Sequence, residues 1–105
     1  MEFKELQDAI IKVAETYGRK FKIKIDENFA LLKLYEEVGE FAQSILIHRK
    51  ECKPKKYLTK NKSRELIAHE LADILGLVII NAHLLGIDLQ KAIEEKWLIK
   101  ADISL

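Results

Sequence analysis

The chain has 105 residues, 49% of them hydrophobic, which is enough for one globular domain with a small core and too apolar for a disordered segment. Its 18 basic and 17 acidic residues leave a net charge of +1, so overall charge gives no argument for nucleic acid or an anionic membrane as partner. Cys52 is the single cysteine, which excludes an internal disulfide and suits a reducing cytoplasm. The opening stretch, MEFKELQ, reads as polar helix rather than as a signal peptide. In the first helix Phe3, Leu6, Ile10, Val13 and Tyr17 recur at three- and four-residue steps, and Gly18 is the expected stop. RKFKIKI then alternates apolar and basic residues, the pattern of an extended strap. Asp26 is a candidate cap for a second helix reaching about Lys50, with Ala30, Leu31, Leu34, Val38, Phe41, Ala42 and Ile45 as its core stripe.

A basic loop, RKECKPKKYLTKNKSR, follows, punctuated by Pro54 and the region of Ser63. Lys53, Lys55, Lys56 and Lys60 in it read first as solvated side chains. The third helix is expected from about Ser63 to Leu85, stopped by Gly86, and a fourth is expected to start at an Asp88 cap. The longest uninterrupted apolar run, Ile74 to Ile80, is short for a bilayer span, so no membrane association is expected. There is no internal repeat and no linker, so residues 1–105 read as one all-α domain of the four-helix-bundle type. From Leu71 onward the third helix is apolar nearly all round, which a small monomer cannot cover. A homodimer or homotetramer is the expectation.

Two helical phrases carry the chemistry. LYEEVGE holds Glu36, Glu37 and Glu40, and HELADIL holds Glu70 and Asp73. Residues three apart share a helix face, so each phrase presents a pair of carboxylates. At about 100° per residue, Glu37 lies about 40° from Phe41 at the edge of the core stripe, while Glu36 turns toward solvent. Asp73 sits among Leu71, Ala72, Ile74 and Leu75, where burial of its charge is costly without a partner. A divalent cation held by Glu37, Glu40, Glu70 and Asp73 would compensate all four. An all-oxygen anionic site favours Mg²⁺, with Mn²⁺ as a substitute, over zinc or copper. Lys33, on the Glu37 side of its helix, can meet a phosphate or neutralise Glu40. His48 and His69 have no metal-ligand spacing with the acids. Trp97 reads as a packing anchor.

LYEEVGE, then ELADIL after a gap of 29 residues, then LLGIDLQKAIEEK, resembles the MazG-like all-α nucleotide pyrophosphohydrolases over about residues 26 to 100. The resemblance implies Mg²⁺ ligands at Glu37, Glu40, Glu70 and Asp73. It implies hydrolysis of a nucleoside triphosphate between the α and β phosphates, giving a monophosphate and pyrophosphate, in clearance of the nucleotide pool. Lys96 matches the family's lysine, and His83 stands where an asparagine is common, so both are candidate substrate contacts. Lys100 stands near an expected asparagine, the expected arginine is missing, and Ile47 replaces an aromatic residue. Base recognition therefore does not carry over.

The expected function is thus an Mg²⁺-dependent nucleoside triphosphate pyrophosphohydrolase with no nucleic-acid partner. Glu40 or Glu36 would orient the attacking water and take its proton. Inside the superfamily the rival is a phosphoribosyl-ATP pyrophosphatase. Outside it, a ferritin-like redox site would need Glu-x-x-His, which this chain lacks. A non-catalytic helical interaction module accounts for the apolar third helix but not for Asp73.

Overall fold

A computed structural model of the chain describes residues 1–99; Lys100, named above as a departure, lies outside them. Among the described residues the protein is all-α, as expected. Helix α1 spans Phe3–Phe21, α2 Glu27–His48, α3 Lys60–Leu84 and α4 Leu89–Ile93. A 3₁₀ turn at Pro54–Lys56 breaks the α2–α3 connection, and α4 widens into a π-helical turn over Glu94–Ile99. The chain forms two compact units, one of Asn28–Val78 and one of Met1–Glu27 with the described chain from Ile79 onward.

In the Asn28–Val78 unit α2 and α3 run antiparallel. Glu37 and Glu40 meet Glu70 and Asp73, while His48, further along α2, meets Ser63, further back along α3. Of the expected α2 stripe only Ala30 is fully buried. Leu34, Phe41 and Ile45 are half-buried, while Leu31, Val38 and Ala42 are exposed. Leu32, Tyr35, Leu71 and Leu75 are exposed too.

The other unit corrects the reading of α1. The helix does not stop at Gly18 but runs on to Phe21, so RKFKIKI is helical at its start and leaves the helix at Lys22. Gly18 is instead where the returning chain lands. A Cβ there would lie 2.8 Å from Ile25 Cγ1 and 2.9 Å from the Ile23 carbonyl, and Ile23 N–H donates to the Gly18 carbonyl at 2.9 Å. The face of α1 that packs carries the half-buried Phe3, Gln7, Ile10, Ile11 and Ala14 and the buried Gly18, so Phe3 and Ile10 of the expected stripe lie on it while Leu6, Val13 and Tyr17 are exposed. At Gly18 the close approach of the returning chain leaves no room for a side chain. Ile79 and Ala82 of α3 are the buried apolar residues of this unit. Asp88 caps α4 as expected, accepting from Lys91 N–H at 3.1 Å. Trp97, expected as an anchor, is exposed.

Helix α3 begins three residues before the expected Ser63. It is 25 residues long, and an 18-residue window has mean hydropathy 1.4 with 11% of it buried. By length and composition alone it is long and apolar enough to cross a membrane, which the uninterrupted run Ile74 to Ile80 by itself is not.

Helices α1, α2 and α3 each end in a left-handed residue: Lys22 at φ 55°, Lys50 at φ 55° and Gly86 at φ 69°. After α1 the N–H groups of Lys22 and Ile23 both reach the Gly18 carbonyl, while α2 and α3 close paired terminal turns. After α3, Ile87 N–H reaches the Ala82 carbonyl at 2.8 Å and Gly86 N–H reaches His83 at 3.1 Å; after α2, Glu51 reaches Leu46 and Lys50 reaches Ile47. Only glycine adopts this conformation without steric cost. Lys22→Gly is therefore expected to raise stability by about 0.5–1 kcal/mol, and Gly86→Ala to lower it by about 1–2 kcal/mol. Thermal melting of the two variants beside the parent protein measures both, and equal signs would contradict the assignment.

Candidate metal centre

The acids that helix geometry groups by face are brought together in space. One carboxylate oxygen from each of Glu37, Glu40, Glu70 and Asp73 lies within 4.8 Å of the others. Their environments differ. Glu37 is buried, Glu40 and Glu70 are half-buried, and Asp73 is exposed. This reverses the expectation for Asp73: its apolar neighbours Leu71 and Leu75 are exposed as well and do not enclose it. The buried charge belongs to Glu37.

Glu37 Oε2 and Glu70 Oε2 are buried and have no hydrogen-bond partner. A buried carboxylate oxygen without a donor is costly, and a cation is the partner that an inward-facing set of acceptors lacks. Carboxylate oxygens from two helices match the hard ligand set of a divalent ion such as Mg²⁺. The residues fit the ion on this ground.

Glu36 is not part of the cluster. It is exposed and forms an ion pair with Lys33, Nζ to Oε1 2.6 Å. Lys33, expected either at a phosphate or at Glu40, is held by Glu36 at this distance, and its charge also favours the ionised form of Glu37. His83 and Lys96 belong to the other unit. His83 lines two cavities there, of about 370 and 130 Å³, and Lys96 is exposed on the π-helical turn.

A family model settles which proteins these are to be compared with: the MazG nucleotide pyrophosphohydrolase domain matches residues 25–98. The chain belongs to this family. No curated protein and no solved structure matches it. The MazG match takes in both helices of the acid cluster and leaves α1 outside.

A polar seam runs from the acids along the MazG helix pair, and residue-by-residue reading of the sequence missed it. Ser44 and Ser63 are almost fully buried. Ser44 Oγ donates to the Phe41 carbonyl at 2.6 Å, and Ser63 Oγ donates to the Lys60 carbonyl at 3.0 Å. With its only proton committed, Ser63 Oγ accepts from His48 Nδ1–H across 2.7 Å. The available signal was spacing: Ser44 and His48 follow Glu37 by seven and eleven residues, and Ser63 precedes Glu70 by seven. All of these steps return to one helix face.

Electrostatics within the cluster are unfavourable for four ionised acids. Glu37 is pushed up to about 7, first by desolvation, then by a hydrogen bond with Glu40 and the negative charges of Glu40 and Asp73, with Lys33 opposing. Glu70 is raised as well, by desolvation first and then by the charges of Glu40 and Asp73. Protons thus bind the folded protein more tightly than the unfolded chain. The stability they add is fully present below the unfolded value of 4.5 and is lost as pH rises through about 7. In chelator, the melting temperature is expected to be higher at about pH 5.5 than at about pH 8, and Glu37→Gln should flatten the profile. Added Mg²⁺ should raise the melting temperature more at the higher pH, because the ion needs the ionised acids. A chelated protein that gains stability from about pH 5.5 to about pH 8 would contradict the raised values.

Proposed function

We propose that the protein is a divalent-metal-dependent nucleoside triphosphate pyrophosphohydrolase of the cytoplasm. The observation that carries the reading is the convergence of four carboxylates, two with buried oxygens lacking any partner, inside the matched MazG region. Glu37, Glu40, Glu70 and Asp73 would hold Mg²⁺, with Mn²⁺ as a substitute. When bound, the ion supplies neutralisation of phosphate charge and a lowered pKa for water. By holding the ion, these carboxylates of α2 and α3 would fix where the triphosphate binds. Glu40, half-buried within the cluster, would orient the attacking water and take its proton. Glu36, exposed outside the cluster and paired with Lys33, is the other carboxylate proposed for that role. Water adds to phosphorus as the α–β phosphoanhydride bond breaks, giving a monophosphate and pyrophosphate. Lys33, His83 and Lys96 remain the candidates for contact with substrate. The exposed leucines and tyrosine of α2 and α3 support assembly as a homo-oligomer, with each copy covering the other's apolar face.

A panel of canonical and modified nucleoside triphosphates, with phosphoribosyl-ATP included, tests the reaction. Pyrophosphate release with Mg²⁺ or Mn²⁺ and loss of turnover in chelator are expected. A diphosphate and inorganic phosphate as products would move the cleavage to another bond. Full activity in chelator would end the metal reading.

Asp73→Asn separates a ligand from a structural residue. The exposed Asp73 contributes repulsion to the metal-free cluster, and asparagine keeps its shape while removing the charge. The metal-free variant is expected to melt at or above the parent temperature. Its turnover with Mg²⁺ should fall by about 10²-fold or more, since a ligand is lost. Melting in EDTA beside turnover in Mg²⁺ reads both. A variant that melts far lower yet turns over normally while folded would defeat the assignment.

A further inference from the structure

The net charge of +1 conceals a strong local separation. Residues 49–64 contain eight basic side chains and one acid, a local charge of +7, which leaves −6 on the other residues. Within the Asn28–Val78 unit, every lysine and arginine except Lys33 lies in this segment. The acid it contains is already engaged: Glu51 pairs with Arg49 at 2.8 Å and leaves the lysines uncompensated by it.

This segment frames a cavity of about 350 Å³ lined by His48, Lys50, Leu58, Thr59, Lys60 and Ser63. No acidic residue lines it. The walls are pre-positioned. Lys50 Nζ sits 5.7 Å from the centre of the Tyr57 ring, and His48 is fixed by its bond to Ser63. Thr59 Oγ1 accepts from Lys62 N–H at 3.2 Å, which leaves its own proton free to donate. Two ammonium groups and a hydroxyl donor around an acid-free cavity form a receptor for an oxyanion. The size falls at the small end of ligand pockets, which favours a compact anion over a polymer.

We propose that this cavity is a phosphate-anion site, separate from the four-acid cluster, which takes a phosphate or pyrophosphate group. Ser63 and Glu70 lie on one face of α3, two turns and about 10 Å apart along its axis. The anion therefore sits beyond the reach of the Glu70 carboxylate, and its binding needs no metal. The site does not depend on the proposed reaction. Its ligand is either a free inorganic anion or a phosphate carried by the substrate.

Inorganic pyrophosphate titrated into the full-length protein in EDTA, followed by calorimetry and by amide chemical shifts, tests it. The chelator removes any route through the acid cluster. Saturable binding is expected, weakened by added salt, with shifts at Lys50, Thr59, Lys60 and Ser63. Lys50→Gln with Lys60→Gln should weaken it by at least about tenfold, while Glu70→Gln leaves it unchanged. Both lysines are exposed, and the shift map of the variant reports whether it is folded. No binding in EDTA, binding unaffected by the two substitutions, or binding of a single-stranded oligonucleotide alone would overturn the proposal. Where the site is confirmed, an unchanged KM in the double variant assigns it to the free anion, and a raised KM assigns it to a phosphate of the substrate. Absence of turnover would sink the proposed reaction and leave the EDTA titration to decide this site by itself.

Discussion

Four carboxylates converging between two helices are a burden on the fold before they are an asset. Two like charges about 4 Å apart repel by about 4 kcal/mol at an effective dielectric constant near 20, against a typical domain stability of about 5–15 kcal/mol. The metal-free protein meets this in two ways. Burial and neighbouring charge raise the carboxyls of Glu37, to about 7, and of Glu70, so that they hold protons more tightly, and Asp73 stays in water. Neither gives the buried Oε2 atoms of Glu37 and Glu70 a partner. A cation held there, as proposed above, would give those oxygens a partner and turn each repulsion into a shared attraction, and proton and cation would then compete for the same oxygens.

The sequence made the acid cluster legible because its information is periodic. Glu37 with Glu40, and Glu70 with Asp73, share faces by helical arithmetic alone, and the structure closes the four within 4.8 Å. Depth was less legible. Asp73 looked buried because its neighbours are apolar, yet an apolar neighbour is not a cover, and Leu71 and Leu75 stand exposed beside it. Part of the face of α1 was misread for a related reason: Phe3 and Ile10 pack as expected, Leu6, Val13 and Tyr17 do not. A hydrophobic stripe weights Val13 and Tyr17 heavily and Gly18 not at all, whereas the return of Ile23 and Ile25 needs the missing side chain of Gly18. Left-handed Lys22 and Lys50 carry no signal in residue type, since helix ends announce themselves through glycine and here only Gly86 does so.

Averaging hides how the charge is distributed. A chain with 18 basic and 17 acidic residues reads as neutral, and the loop lysines read as solvated side chains, which they are by exposure. Along the α2–α3 pair the same residues form a gradient, acids at mid-helix and bases where α2 ends and α3 begins. A polyanion approaching the metal-free acids is repelled by them and attracted to the basic end. Near-neutral totals conceal such gradients whenever the two signs are grouped at different places along the chain, as Glu37 within α2 and Lys50 just past its end are.

The apolar surface of α3 needs a cover, and its composition admits two. By length and hydropathy the helix could cross a membrane. Against lipid stand Glu70 and Asp73 and the α2 acids gathered with them. An aspartate at the centre of a spanning helix costs about 2.5–3.5 kcal/mol on insertion scales, and partners of the same sign cannot relieve it. A protein surface is the better match. It can lay apolar side chains on Leu71 and Leu75 while leaving the exposed Asp73 open to water and ions, which lipid cannot do. A second copy, as proposed above, would present such a surface, because Leu31, Leu32, Tyr35 and Val38 are exposed on α2 as the leucines are on α3. The demand that the acids stay wet therefore selects among the covers that hydropathy alone would allow.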